Sequence, residues 1–171
     1  FGDACGYKVL YPEEEVMNNL WMIVERINQV DPDILLLQEA ELNSTRSAYV
    51  NEVKYILENT NFNYVAYAME WDAQVVPSDG LGRVEETNSI YSKWQLADAK
   101  RFQLDLIQNQ MAIERYFYER NCMVETVVRI PGFEDVAVLN IHASAFATDD
   151  TKKKHLEMFK NEMDNLNSKY E

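Results

Sequence analysis

A chain of 171 residues with 47% hydrophobic content has the mass of one ordinary domain and enough apolar side chains for a sizeable core. Its 29 acidic residues outnumber 16 basic ones, and the net charge of −13 weighs against a nucleic-acid binder that relies on phosphate contacts alone. No apolar run approaches the ~20 residues of a membrane helix, no signal peptide is visible, and two cysteines, Cys5 and Cys122, are too few for a disulfide framework or a zinc site.

Those cysteines leave open one bridge or two free thiols, so the compartment stays unassigned. The chain opens on Phe1 rather than Met, which points to a start further upstream and, with it, to any targeting segment. Residues 1–10, with Gly2, Asp3 and Gly6, read as a loop. Pro12 suits the first position of a helix, and Glu13, Glu14 and Glu15 sit at the positive end of its dipole. Val16, Leu20, Ile23, Val24, Ile27 and Val30 recur at spacings that give one apolar face.

The helix stops at Asp31-Pro32, and Asp33-Ile34-Leu35-Leu36-Leu37-Gln38-Glu39-Ala40-Glu41 follows. A short apolar run between a breaker and Gln-Glu predicts a strand buried on both faces. Its carboxylates fall at the carboxyl end, where open α/β sheets place their ligand crevice. Residues 43–47 read as a turn, and 49–58 as a second amphipathic helix burying Val50, Val53, Ile56 and Leu57. After a turn at 59–63, residues 64–68 have strand composition, and 70–87, with Pro77, Asp79, Gly80 and Gly82, read as a long loop of the kind that is functional or mobile.

Residues 89–92 and 96–103, joined at Lys93-Trp94, read as an antiparallel pair, and 106–120 as an irregular excursion with some helix. Two apolar strands, 122–130 and 136–141, are joined through Pro131-Gly132-Phe133-Glu134-Asp135 as a hairpin. The last element, 151–169, is an amphipathic helix capped by Asp149 or Asp150, with Leu156, Phe159, Met163 and Leu166 on one face.

Two strand ends carry chemistry: Gln38-Glu39, and Asn140-Ile141-His142. In one sheet rim they would set a carboxylate beside an imidazole. A hard cation takes one or two such carboxylates together with water and substrate phosphate, and the imidazole can hydrogen-bond a phosphoryl oxygen or exchange a proton with it. That pairing suits phosphoester hydrolysis. His155, among three lysines, reads as part of a solvated face. Neither histidine has zinc-pair spacing, Gly80 and Gly82 lack the Gly-Lys-Ser/Thr of a phosphate loop, and Met111 to Tyr118 read as packing rather than a base-stacking platform.

Three segments in order resemble the endonuclease/exonuclease/phosphatase superfamily, the group of deoxyribonuclease I, the abasic-site endonucleases, neutral sphingomyelinases and inositol-phosphate phosphatases. Asp31-Pro32-Asp33-Ile34-Leu35-Leu36-Leu37-Gln38-Glu39 is similar to its DPDIxxLQE segment, Thr87-Asn88-Ser89-Ile90-Tyr91-Ser92-Lys93 to its GNAILSR strand, and Val138-Leu139-Asn140-Ile141-His142 to its NTH strand. The resemblance implies a deoxyribonuclease I-like α/β fold: a partial four-layer sandwich of two mixed sheets packed face to face with helices outside.

It further implies that Glu39 binds Mg²⁺ or Mn²⁺, that His142 is a catalytic residue contacting the phosphate, and that Glu70, with Asp72 as competitor, orients His142. Asn88, Arg120 and Asn140 are implied on the substrate side, Asn140 as support. The substrate class is a phosphoester: nucleic acid, phospholipid headgroup or inositol phosphate. The family's first strand with its catalytic Asn, its GDFN strand and its final Asp-His pair have no counterpart here. Residues 1–171 are therefore expected to form a single incomplete domain, inactive by itself and prone to self-association through an exposed sheet edge. The rivals are a binding scaffold that keeps the fold, and a split or engineered half.

Overall fold

The computed structural model describes residues 8–77, 81–108, 110–145 and 147–170. Cys5 and the loop expected up to Tyr7 lie outside them, as do Asp79 and Gly80. Helix α1 (Glu13–Val30) starts on Pro12, whose carbonyl accepts from the Glu15 and Val16 N–H groups. It ends as Asp31 turns left-handed at φ 47° and donates its N–H to Ile27. Lys93 pairs with both Asp31 and Asp33, so the Asp-Pro-Asp breaker also anchors the start of the next strand.

Strand β1 (Ile34–Glu41) pairs antiparallel with β3 (Gly82–Ser92), which pairs on its other side with β2 (Tyr64–Val76). β1 is thus an edge strand, and Leu36 is 43% exposed rather than buried on both faces. Leu35 and Leu37 pack under α1 and α2 (Glu52–Glu58), while Ile34 turns toward the second sheet. α2 begins later than expected because Ala48 and Tyr49 adopt positive φ; Asn51 caps it, accepting from Lys54 N–H at 2.8 Å.

The expected 70–87 loop is instead the outer half of a long β2–β3 hairpin. Ala73, Val76 and Val84 close a small core of their own beneath Trp71 and Leu81. Acidic and polar residues between them disguised a period-2 alternation. The next expectation also changes. β3 and β4 (Gln95–Gln103) do not pair; β4 belongs to a second sheet of order β4-β5-β6 with β5 (Cys122–Arg129) and β6 (Val136–Ile141). Lys93-Trp94 lacks the positive-φ residues that a two-residue hairpin requires, and Lys93 N–H is held by the Asp33 carbonyl instead. The β5–β6 hairpin is as expected, but every described pairing is antiparallel, so the described sheets are not the mixed ones expected.

Ala68, Ile90, Cys122 and Val124 fill the space between the sheets. α1 and α2 cover the outer face of the first sheet, packing Val16, Leu20, Val24, Val53 and Ile56 into one cluster with Tyr91 of β3. α3 (Ala112–Phe117), in the irregular excursion, buries no residue. α4 (Thr151–Tyr170) lies along β6, completing helix, sheet, sheet, helix.

Asp149 caps α4, accepting from Thr151 N–H at 2.9 Å. The apolar spacing identifies only half of the buried stripe of α4: Leu166 is buried and Phe159 part-buried as expected. Leu156 and Met163 are half exposed, whereas His155 is 1% exposed. Its Nε2 donates to the Asp105 carbonyl at 2.7 Å and its Nδ1 accepts from Ser144 N–H at 3.3 Å. His155 is a bracket between loops, not part of a solvated face.

His155→Ala would strand both backbone groups, at a cost of about 2–4 kcal/mol in urea unfolding. A residue on a solvated face would shift stability by less than about 0.5 kcal/mol.

Candidate functional site

The register of β1 against β3 slips between Leu37 and Ala40, so that Gln38 and Glu39 together oppose Asn88. Glu39 sits in this bulge at φ 61°, a conformation that costs a non-glycine residue of order 1 kcal/mol. The bulge turns its carboxylate outward, to 46% side-chain exposure. Backbone strain of this kind clusters at functional sites.

Polar side chains bring the end of β6 to this bulge. Asn140, 3% exposed, donates from Nδ2 to the Leu37 carbonyl at 2.8 Å and to the Ser89 carbonyl at 3.1 Å. Gln38 returns the link by donating to the Ile141 carbonyl at 2.6 Å. The next residue, His142, therefore arrives against Glu39 and Glu70. Its Nδ1 lies 2.8 Å from Glu70 Oε2 and its Nε2 3.3 Å from Glu39 Oε1. Glu70 is fully buried on β2, held from behind by the Arg120 N–H on its carbonyl.

The hydrogen bond to Glu70 raises the His142 imidazole to about 9; burial opposes this, and the charges of Glu70, Glu39 and Glu119 reinforce it. At neutral pH the ring is an imidazolium with both N–H groups facing carboxylates. Burial pushes Glu86 upward; Arg46 pulls it down, and Glu70, Glu119 and Glu39 push it up again. Burial likewise raises Glu119, against the pull of His142.

Among the described residues, Glu39, Glu86 and His142 offer ligand atoms within 4.8 Å of one another. The imidazolium has no lone pair to give. The donors are then the side-chain oxygens of Glu39 and Glu86, hard ligands of the kind that fit Mg²⁺ or Mn²⁺. Glu70 Oε1, buried on the neighbouring strand, has no hydrogen-bond partner.

The expected residues are brought together unequally. Glu39, Glu70 and His142 meet, and Asn140 supports them from the interior. Asp72 is absent from the charges that act on His142. Asn88 is a correction: it is 0% exposed and donates to the Cys122 carbonyl at 2.9 Å, tying sheet to sheet out of reach of a substrate. Arg120 is exposed at the end of the segment before β5 and makes no side-chain ion pair among the described residues. Glu86 and Glu119 were missed. Glu86 stands two residues before Asn88, but a buried carboxylate within a strand is rare enough that alternation alone would not place it inward.

No family model and no curated protein matches the chain. Solved structures do. An endonuclease/exonuclease/phosphatase from Beutenbergia cavernae aligns with TM-score 0.64 and 17% identity over 81% of this chain and 37% of its own. An endonuclease/exonuclease/phosphatase family protein from Leptotrichia buccalis gives 0.59 and 17%, over 90% and 58%. ANGEL2, a 2′,3′-cyclic phosphatase, gives 0.58 and 17%, over 93% and 46%. The chain thus has the deoxyribonuclease I-like α/β fold of endonuclease/exonuclease/phosphatase proteins, and it spans 37–58% of the length of these three.

A folded pKa above the unfolded value of about 6.5 means that the His142–Glu70 pair stabilises fully below about pH 6.5 and fades as pH rises through about 9. Ring NMR titration of His142 should show a midpoint near 9, and Glu70→Gln should lower it. Glu39→Gly should hold urea stability or raise it by up to about 1 kcal/mol, because the bulge conformation is left-handed. At an ordinary strand position glycine would cost about that much.

Proposed function

We propose that this chain carries the site of a divalent-metal-dependent phosphoesterase, acting on a phosphodiester or phosphomonoester. The observation that carries it is the outward carboxylate of Glu39, on a strained bulge, beside an imidazolium held by a buried Glu70. The fold supports it, since structures sharing it include proteins described as phosphatases.

Glu39 would hold Mg²⁺ or Mn²⁺, which when bound offsets charge developing on phosphoryl oxygen. His142, charged at neutral pH, donates an N–H to a non-bridging oxygen; a group titrating near 9 holds its proton too firmly to be a good acid at pH 7. Glu70 fixes the ring and its charge. Asn140 fixes the strand ends beneath it, and the exposed Arg120 is assigned to the substrate backbone. Activation of the attacking water is assigned to none of the described residues, so the 171-residue chain by itself is expected to be inactive.

The charge of −13 favours a small phosphoester, an inositol phosphate or a lipid headgroup, over long nucleic acid. No helix among the described residues is long and apolar enough to cross a membrane.

The test uses the natural protein with Mg²⁺ and bis(p-nitrophenyl) phosphate or p-nitrophenyl phosphate. Glu39→Gln and His142→Ala should each lower kcat/KM by about 10²–10⁴-fold. Activity unchanged in Glu39→Gln would remove the metal assignment.

A further inference from the structure

Beneath the bulge lies an ion-pair arrangement that the proposed chemistry does not yet use. Arg46, in the segment after β1, donates from Nε to Glu41 and from Nη2 to Glu86. Its guanidinium carbon stands 5.7 Å from the centroid of the Trp71 ring. The three neighbours come from all three strands of the first sheet. Glu41 faces Glu86 across β1 and β3, and Trp71 faces Glu86 across β2 and β3. Side-chain exposure is 15% for Arg46, 0% for Glu41 and 3% for Glu86.

Like charges directly opposite on neighbouring strands repel, and in a dry interior the cost grows. A planar guanidinium can answer both carboxylates from one side; a lysine is a single point charge and cannot reproduce that geometry. Glu41 has a second anchor, since Glu52 accepts its backbone N–H at 3.0 Å. Glu86 has the other connection: it offers a ligand oxygen within 4.8 Å of Glu39 and His142.

We propose that Arg46 is a positioning residue that acts through Glu86, holding this buried carboxylate toward Glu39 as an additional oxygen donor for the cation. The proposal rests on the phosphoesterase assignment and deepens it. Arg46 itself touches neither cation nor substrate. It ties the cation site to the sheet, so that the bulge supplies one carboxylate and the adjacent strand the other.

Mn²⁺ binding to the natural protein, read from the free-ion EPR signal, tests this without catalysis. The parent should bind and Glu39→Gln should not. Arg46→Lys and Glu86→Gln should each weaken binding by about 10- to 100-fold. The double variant should be no weaker than Glu86→Gln alone, because both changes remove one donor. Far-ultraviolet circular dichroism checks folding, and Arg46→Lys keeps the charge if larger changes unfold the chain.

A purely structural arginine would lower urea stability and leave Mn²⁺ affinity within twofold of the parent; that result, or additive losses in the double variant, overturns the proposal. If Glu39→Gln binds Mn²⁺ as the parent does, the metal assignment itself falls. If the parent does not bind, both fall.

Discussion

The site depends on one buried amide. Asn140, at the end of the second sheet, reaches across to the Leu37 carbonyl of the first. Apolar faces pack without direction and would allow the two sheets to slide. Buried polar groups do not allow it, because each donor loses its acceptor when the register changes. Asn140 on Leu37 and Ser89, Gln38 on Ile141, Asn88 on Cys122 and Arg101 on Met69 all cross the same interface. Together they set the ends of β1 and β6 side by side, and Glu39 and His142 meet as a consequence.

The second constraint is charge. Glu39, Glu70, Glu86 and Glu119 surround one imidazolium, with Arg46 serving Glu86 from below. The Glu70 hydrogen bond and the crowding of these acids raise the imidazole, and burial with mutual repulsion opposes ionisation of Glu86 and Glu119. Unpaired acidic oxygens crowded in this way are relieved by a cation.

Several local features were legible in the residues: α1 from its proline start and apolar spacing, the β5–β6 hairpin from its turn, and α4 from its cap. Glu39 and His142 were legible as strand-end groups, Glu70 only by resemblance. Three features were not. The edge position of β1 follows from sheet order, which an apolar run does not encode. The β2–β3 hairpin hid its alternation because its inward positions include Glu70 and Glu86, which are buried with partners on other elements. His155 looked solvated because lysines precede it, yet its neighbours in space are the backbone at Asp105 and Ser144.

The sequence by itself determined α1, the β5–β6 hairpin, α4, the fold resemblance and the two residues at the strand ends, because period, capping and turn chemistry act over a few neighbours. The tertiary structure alone decided that Glu39 bulges outward, that Glu70 rather than Asp72 holds His142, that Asn88 is interior, and that Arg46 joins Glu41 to Glu86. Each of these is a contact between residues distant in the chain or on different strands. Its geometry is fixed by strand register and by where a buried polar group finds its partner.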